Sequence, residues 1–225
     1  MNRLEQIATS LTPHGLALRG GFHPALEDGV PALPEGACGT ILLVGNLGGA
    51  LWPAFSTSPE YADGAPNALD RWTRRILDAL APRFAASTLF PFGGPPWLPF
   101  QRWALKADGV AASPLGILIH PEYGLWHAYR GAFAFAETLE LPEQARAPRP
   151  CDSCIDRPCL SRCPVAAFTP GHYDVRGCRT HIGNSEGAIC RTRGCLARLA
   201  CPVGRIHAYP AAQMAFHMAA FRVAS

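Results

Sequence analysis

The apolar positions in the first fifty residues predict one short helix followed by buried strands. Residues 4–11 repeat apolar side chains at helical spacing and end at Thr12-Pro13. A short strand is expected near residues 16–19. Residues 40–44 form an uninterrupted apolar run between glycines, which is typical of a buried strand. The glycine-rich turn after it, GNLGGALWPAF, lacks the G-x-G-x-x-G spacing and is interpreted as a tight strand-to-helix turn.

Further along, the pattern alternates between helix and strand. Residues 67–80 predict an amphipathic helix with Asn67 as its N-cap. Residues 87–90 predict a strand, and residues 100–106 a short helix. The tail, residues 209–223, is predicted to be helical.

Two more apolar stretches, residues 115–120 and 125–135, predict a pair of strands. The segment PEYG between them has the composition of a turn. A Pro-, Ala- and Arg-rich linker, residues 141–150, then separates the strands from the rest of the chain. The pattern predicts an α+β domain over residues 1–140 and a second domain over residues 141–225.

Composition and charge add a distinction between the two parts. The chain has 225 residues, of which 16% are charged, with 22 Pro and 22 Gly, so a loop-rich build of one or two domains is expected. Residues 1–150 carry 11 Lys/Arg and 13 Asp/Glu, whereas residues 151–225 carry 9 Arg and 4 acids. The arginines of the second part lie between cysteines, so we interpret them as offsetting an anionic group and do not expect nucleic acid as a partner.

The sequence predicts a cytoplasmic protein. The start, MNRLEQIATSLTPHG, contains Glu5 and lacks the apolar core of a signal peptide. No run of 18 uncharged apolar residues predicts a membrane span.

Cysteines dominate the second part. Eight of the nine lie within residues 151–202, in CDSCIDRPCLSRCP, VRGCRTH and CRTRGCLARLACP, and only Cys38 lies outside. A cysteine run that ends in Cys-Pro, and does so twice, is typical of ferredoxin-type iron–sulfur ligation. In two-cluster ferredoxins the cysteine before the proline binds the cluster of the other run.

This rule divides the eight cysteines into two sets of four, which predicts two [4Fe–4S] clusters. The first set is Cys151, Cys154, Cys159 and Cys201, and the second is Cys163, Cys178, Cys190 and Cys195. Cys178 enters the second set because it is the one cysteine that remains.

Two other interpretations compete. Disulfides need an oxidising compartment, which nothing in the sequence indicates. Two four-cysteine zinc sites are chemically reasonable, although zinc motifs usually come as paired C-x₂₋₄-C knuckles without Cys-Pro endings.

The string IHPEYGLWHAYRGAFAF followed by the two cysteine runs resembles epoxyqueuosine reductases and reductive dehalogenases. The segment HPEYGLWHAYRG is also similar to the cobalamin-processing chaperones of methylmalonic aciduria type C. These resemblances imply a flavin-reductase-like (nitroreductase-like) α/β sandwich domain, followed by a ferredoxin-like domain with two [4Fe–4S] clusters. They imply cobalamin as a further cofactor, with a flavin as the alternative.

Carried over by the same resemblance, the cofactor-binding residues are Tyr123, Gly124, Trp126, Arg130 and Gly131. Arg130 matches an arginine at the corrin pocket of the chaperones; its alternative role is an ion pair with an acid such as Glu122. We expect an aromatic pocket walled by Trp97, Trp103, Tyr123 and Trp126.

The sequence therefore predicts an iron–sulfur redox protein, which receives electrons from a partner protein and passes them to a corrinoid or to a substrate. The alternative is a non-catalytic module, either a ferredoxin-like carrier or a cobalamin chaperone. No catalytic acid or base can be assigned, because the segment PPWLPFQRW lacks the carboxylate that epoxyqueuosine reductases carry there.

Overall fold

The computed structural model of the chain describes residues 2–143, 147–169 and 171–222, and the backbone of Val223. Part of the predicted linker, residues 144–146, lies outside the described residues. The helices are α1 (Arg3–Leu11), α2 (Trp52–Ser56), α3 (Pro59–Ala62), α4 (Ala68–Leu80), α5 (Phe100–Ala107), α6 (Pro158–Ser161), α7 (Val175–Gly183), α8 (Ala188–Arg193), α9 (Leu196–Ala200) and α10 (Ala211–Val223). The strands are β1 (Ala17–Phe22), β2 (Thr40–Leu47), β3 (Ser87–Leu89), β4 (Ala111–Ala112), β5 (Leu118–Ile119), β6 (His127–Phe135), β7 (Phe168–Thr169) and β8 (His172–Tyr173).

The chain divides into two compact units. The first unit comprises Met1–Gly109 and Ala128–Arg146; the cysteine unit comprises Val110–His127 and Ala147–Ser225. This division differs from the expected one at residue 140. The segment Val110–His127 packs with the cysteines because Leu115, Ile119 and Leu125 share an apolar cluster with Cys159 and Cys201.

A four-stranded sheet forms the centre of the first unit, in the order β1-β2-β6-β3. β1 is antiparallel to β2, and β3 is antiparallel to β6. All residues of β2 except the last are buried, as its continuous apolar sequence predicts. Gly45 lies at the closest approach to β6, where a Cβ atom would stand 2.0 Å from the Ala128 carbonyl oxygen.

Most predicted elements of the first unit are confirmed, with changes at their ends. The predicted strand at residues 40–44 continues to Leu47, and the helix after the glycine turn is the five-residue α2. Asn67 does precede α4, but its backbone is left-handed (φ 55°) and its side chain makes no capping hydrogen bond. The positive φ at a residue tolerant of that region marks a sharp chain reversal into the helix.

Both strands predicted around PEYG are present, β5 shortened to Leu118–Ile119 and β6 at His127–Phe135, but they lie in different sheets. β5 pairs with β4 in a separate two-stranded sheet, whereas β6 belongs to the central sheet. A single bridge, between His120 and Gly124, joins the two sides of the turn. The physical reason is local: His120 Nδ1 accepts hydrogen bonds from the backbone N–H groups of Glu122 and Tyr123, both at 3.1 Å, which closes a tight turn in place of a ladder.

Within the part of the chain that the structure describes, no helix has both the length and the apolar character needed to cross a membrane.

Candidate metal centre

Short helices and the turns between them carry the eight clustered cysteines. Cys159 lies in α6, Cys178 in α7 and Cys190 in α8, while Cys195 and Cys201 flank α9 at its two ends. All nine cysteines of the chain are described, and all are free thiols, so the disulfide interpretation has no support in the structure.

Four thiols share one neighbourhood. Burial raises the pKa of Cys151, and repulsion from Cys201, Cys159 and Cys154 raises it further. Burial also raises the pKa of Cys159, followed by repulsion from Cys201 and Cys154. These four cysteines also line one small cavity together with Pro158, the residue before Cys159. Cys201 therefore lies with the thiols of the first run, although it ends the second.

The other four thiols form a second neighbourhood. Burial raises the pKa of Cys178 and of Cys190, and repulsion from Cys163 raises both further. The pKa of Cys195 is raised by burial and then, after opposing backbone hydrogen bonds, by Cys178 and Cys163. Cys163 therefore lies with the second run, although it ends the first. The structure brings the cysteines together in the sets expected from crossed ligation, and the binding of iron is a separate proposal.

An apolar cluster surrounds the thiols of the cysteine unit. Its buried members besides cysteine are Leu115, Ile119, Leu125, Ala167, Phe168 and Ala197. A backbone donor points at one of the sulfur atoms: the Ala167 N–H donates to Cys163 Sγ at 3.4 Å. Buried anionic sulfur needs such donors, because an uncompensated charge in an apolar site is costly.

Three of the arginines between the cysteines bind protein groups. Arg198 lies over the rings of Trp126 (4.5 Å) and Tyr209 (4.6 Å) and donates to the Leu125 carbonyl. Arg191 Nη1 donates to the carbonyl oxygens of Ile182 and Asn184, at 2.7 and 2.5 Å. Arg179 lies 5.1 Å from the ring of Phe221. These arginines hold backbone and aromatic groups in place in addition to supplying positive charge.

Single-ion sites are a different matter. Over residues 2–143, 147–169 and 171–223, no three His, Cys, Asp or Glu side chains form a group that could hold one metal ion. A [4Fe–4S] cluster bonds each thiolate to a different iron, so its four sulfur ligands need not converge on one point.

Of the five residues that the family resemblance implies as cofactor-binding, three lie in the cysteine unit. Trp126 is 1% exposed and packs edge-on against Tyr209 at 5.4 Å. Its Nε1 has no hydrogen-bond partner among the described residues. The ring of Tyr123 lies 4.2 Å from that of His207. At Gly124 (φ +56°) a Cβ atom would stand 2.0 Å from the Val203 carbonyl oxygen, so glycine is required by backbone packing.

The other two lie in the first unit. Arg130 forms an ion pair with Asp70, and its Nε lies 3.4 Å from Thr73 Oγ1. The expectation of an acidic partner is therefore met by Asp70 and not by Glu122, whose Oε1 lies 3.8 Å from His207 Nε2 in the cysteine unit. A Cβ atom on Gly131 would stand 2.6 Å from a methyl group of Leu77.

The four aromatic residues that were expected to line one pocket are also divided between the two units. Trp103 is fully buried and donates from Nε1 to the Asp28 carbonyl at 2.9 Å, which makes it a core residue of the first unit. Trp97, in the same unit, is 66% exposed. Tyr123 and Trp126 belong to the cysteine unit. No single unit contains all four residues of the predicted pocket.

Sequence patterns contain no signal for Phe168 and Tyr173 as neighbours of the thiols. The two-residue strands β7 and β8 bring both residues to the apolar cluster around the cysteines, with their rings stacked 4.5 Å apart.

No family model and no curated protein matches the chain. Solved structures do resemble it. Epoxyqueuosine reductase from Bacillus subtilis, solved with its catalytic aspartate loop swung out of the active site, has a TM-score of 0.53 at 16% identity, covering 93% of this chain and 68% of that one. An epoxyqueuosine reductase with a tRNA-Tyr stem loop has a TM-score of 0.50 at 16% identity, with the same coverage.

A third similar structure is the C. elegans B12-trafficking protein CblC, a homologue of human MMACHC. Its TM-score is 0.50 at 13% identity, covering 98% of this chain and 94% of that one. At these identities the likeness concerns the fold. The α+β fold of this chain resembles those of epoxyqueuosine reductase and CblC.

Proposed function

We propose that this protein holds two [4Fe–4S] clusters and passes electrons from them, one at a time, to an acceptor bound by the first unit. The observation that carries the proposal is the sorting of eight thiols into two neighbourhoods of four, with Cys163 and Cys201 each exchanged between runs. Four thiolates per cluster and an exchanged Cys-Pro cysteine are the ligand pattern of two-cluster ferredoxins. The fold likeness to a reductase supports a redox role.

When bound, the clusters supply one-electron transfer. The residues of the chain hold them and set their surroundings. Phe168, Leu115 and Ile119 exclude water from the thiols, while the Ala167 N–H stabilises negative charge on Cys163 Sγ. Because burial raises the pKa values of six of these cysteines, ligation must release protons as the thiolates form.

A corrinoid is the acceptor that we propose first, and a flavin is second. The fold likeness to a B12-trafficking protein supports the corrinoid. Arg130 is the proposed contact in the first unit. Its ion pair with Asp70 provides a matched control, since R130A and D70N both break the pair but only R130A removes the guanidinium group.

Titration with cob(II)alamin, followed by absorbance and EPR, tests this acceptor. We expect binding at tens of micromolar or below, weakened at least several-fold by R130A and little by D70N. Equal weakening by both variants would mean that the ion pair matters only for folding. Binding of FMN without binding of cobalamin would replace the corrinoid with the flavin.

The main proposal is tested by counting electrons. Anaerobic titration of the purified protein with dithionite should take up about two electrons per chain, one for each cluster. Added acceptor should then reoxidise the protein by the same number of electrons. The proposal would be contradicted if the protein took up no electrons, or if neither corrinoid nor flavin reoxidised the reduced protein. Repeated reoxidation without chemical change in a substrate would identify the protein as an electron carrier.

Nucleic acid is not part of the proposal, although a similar reductase was solved with a tRNA stem loop. The arginines near the clusters include exposed ones, Arg157, Arg162 and Arg193. A mobility-shift assay with tRNA at two salt concentrations checks this point. Tight binding that weakens steeply with salt would indicate an RNA partner.

A further inference from the structure

Helix α4 of the first unit carries three arginines, and one of them has no acidic partner. Arg75 pairs with Glu60, and Arg71 pairs with Asp63. Arg74 is exposed, and its guanidinium group forms no ion pair or hydrogen bond with any part of the chain that the structure describes. This guanidinium group is therefore available to an anion from solution.

Two acids lie one helical turn from Arg74, and each has another partner. Asp70 and Asp78 are four residues before and after it, a spacing at which helical side chains can form an ion pair. Asp70 pairs with Arg130. Asp78 Oδ1 accepts a hydrogen bond from Thr88 Oγ1 at 2.6 Å. The positive charge of Arg74 is therefore not paired within its own helix.

Aromatic rings hold the Arg74 guanidinium group in place. Its Cζ atom lies 4.4 Å from the centre of the Phe90 ring and 5.6 Å from that of Phe92. These two rings stack with their centres 5.1 Å apart. Cζ of Arg130 lies 5.7 Å from the centre of the Phe92 ring. Two guanidinium groups thus share one ring, and an anion beside it would relieve the repulsion between their charges.

The surface beside Phe92 has room for a ligand. Phe92 and Arg130 are half-buried, so both can be reached from solution. The chain continues from Phe92 into Gly93 and Gly94. A Cβ atom on Gly94, whose φ is +99°, would meet no described atom within 4 Å beyond its neighbours in the chain. The glycine loop therefore leaves open space next to the ring.

We propose that Arg74 and Arg130 bind a phosphate group of the electron acceptor beside the Phe92 ring. This inference rests on the proposed function and adds a chemical requirement on the acceptor. A guanidinium group presents its N–H donors as a planar fork that matches two phosphate oxygens. Because Asp70 balances the charge of Arg130, Arg74 supplies the net positive charge that attracts the phosphate.

Both candidate acceptors meet this requirement. FMN carries a phosphate at the end of its ribityl chain, and cobalamin carries one in its nucleotide loop. Riboflavin lacks the phosphate of FMN, and cobinamide lacks the nucleotide loop of cobalamin. These four compounds therefore form two matched pairs of ligands.

Calorimetric titration of the full chain, purified without oxygen, tests the inference with FMN, riboflavin, cob(II)alamin and cob(II)inamide. R74Q should weaken binding of the phosphate-bearing member of a pair about tenfold, because a hydrogen-bonded charge pair contributes on this scale. Binding of the other member should be unchanged. The pair that responds identifies the source of the phosphate. R74K keeps the charge but not the fork, so it should weaken binding less than R74Q does.

R83Q is the matched control. Arg83 is also exposed and lies 5.7 Å from the centre of a phenylalanine ring in the first unit, that of Phe84. Among the described residues, no second guanidinium group lies over that ring. R83Q should therefore leave all four affinities unchanged.

Three results would overturn the inference while leaving the acceptor site in place. They are unchanged affinities in R74Q, equal weakening of both members of a pair, and an effect of R83Q as large as that of R74Q. Wild-type protein that binds none of the four ligands would instead overturn the proposed acceptor site itself.

Discussion

Cys163 and Cys201 each lie beside the thiols of the other cysteine run, and this exchange is the residue-level feature that the account depends on. It could be predicted, because a cysteine before proline in a double run binds across in known ferredoxins. The packing of Tyr173 on Phe168 could not be predicted, since it arises from two-residue strands and not from a spacing in the sequence. Arg130 was only half predictable: an acidic partner was expected, but Asp70 lies 60 residues earlier and no local pattern joins them.

Double variants test the exchange. C163S should leave about four of eight irons, since it removes one ligand of the second cluster. The pair C163S/C190S should lose no more iron than C163S alone, because both residues then serve one cluster. The pair C163S/C151S should lose nearly all of it. Iron analysis of anaerobically purified protein measures the three variants, and the opposite pattern in the two pairs would show that each run serves its own cluster.

At the scale of elements, apolar periodicity predicted α1, β2, α4 and α5, because each buries one face or a whole strand through its own sequence. Around PEYG the sequence predicted the two strands and the turn but not the sheets to which the strands belong. His120 closes the turn locally, whereas the approach of Gly124 to Gly204, 80 residues away, is a contact that a sequence pattern does not contain. The apolar residues of Val110–His127 pack with the cysteines, so this segment belongs to the cysteine unit.

The contact between the turns at Gly124 and Gly204 supports the nearby Cys201. Both Gly124 and Gly116 have positive φ, so alanine at either costs about 1–2 kcal/mol in backbone strain. Only at Gly124 would the added Cβ also collide with the Val203 carbonyl, two residues after Cys201. We expect G124A to lose the first cluster partly or wholly and G116A to keep it, as measured by iron content and visible absorbance. Equal iron in both variants would show that the turn contact has no influence on Cys201.

Helix α3 is fastened to α4 by an ion pair in the first unit. Arg75 donates to Glu60 at 2.5 Å and lowers the pKa of Glu60 to about 2. The stabilisation is present above the ordinary glutamate pKa near 4.5 and is lost as pH falls towards 2. E60Q should lower the free energy of unfolding at pH 7 by about 1–3 kcal/mol in urea titrations. D63N, which breaks the more exposed Asp63–Arg71 pair, should lower the free energy of unfolding by less than E60Q does. Equal losses would show that the Glu60–Arg75 pair stabilises the fold no more than an exposed pair.

At the scale of the whole molecule, two compact units share one chain whose fold resembles those of a reductase and a B12-trafficking protein. The pattern of cysteines predicted a separate cysteine-rich part, whereas the discontinuous course of the chain was not predictable. In the proposed function, the cysteine unit supplies the cluster ligands and the first unit binds the electron acceptor. Its central claim is that the eight grouped thiols bind iron and sulfide.

Metal and sulfide analysis of the full chain, purified without oxygen and paired with Mössbauer spectroscopy, tests that claim most directly. We expect about eight irons and about eight acid-labile sulfides per chain, with spectra of two [4Fe–4S] clusters. A colourless protein that carries about two zinc ions per chain and no labile sulfide would contradict it and establish the four-cysteine zinc interpretation instead.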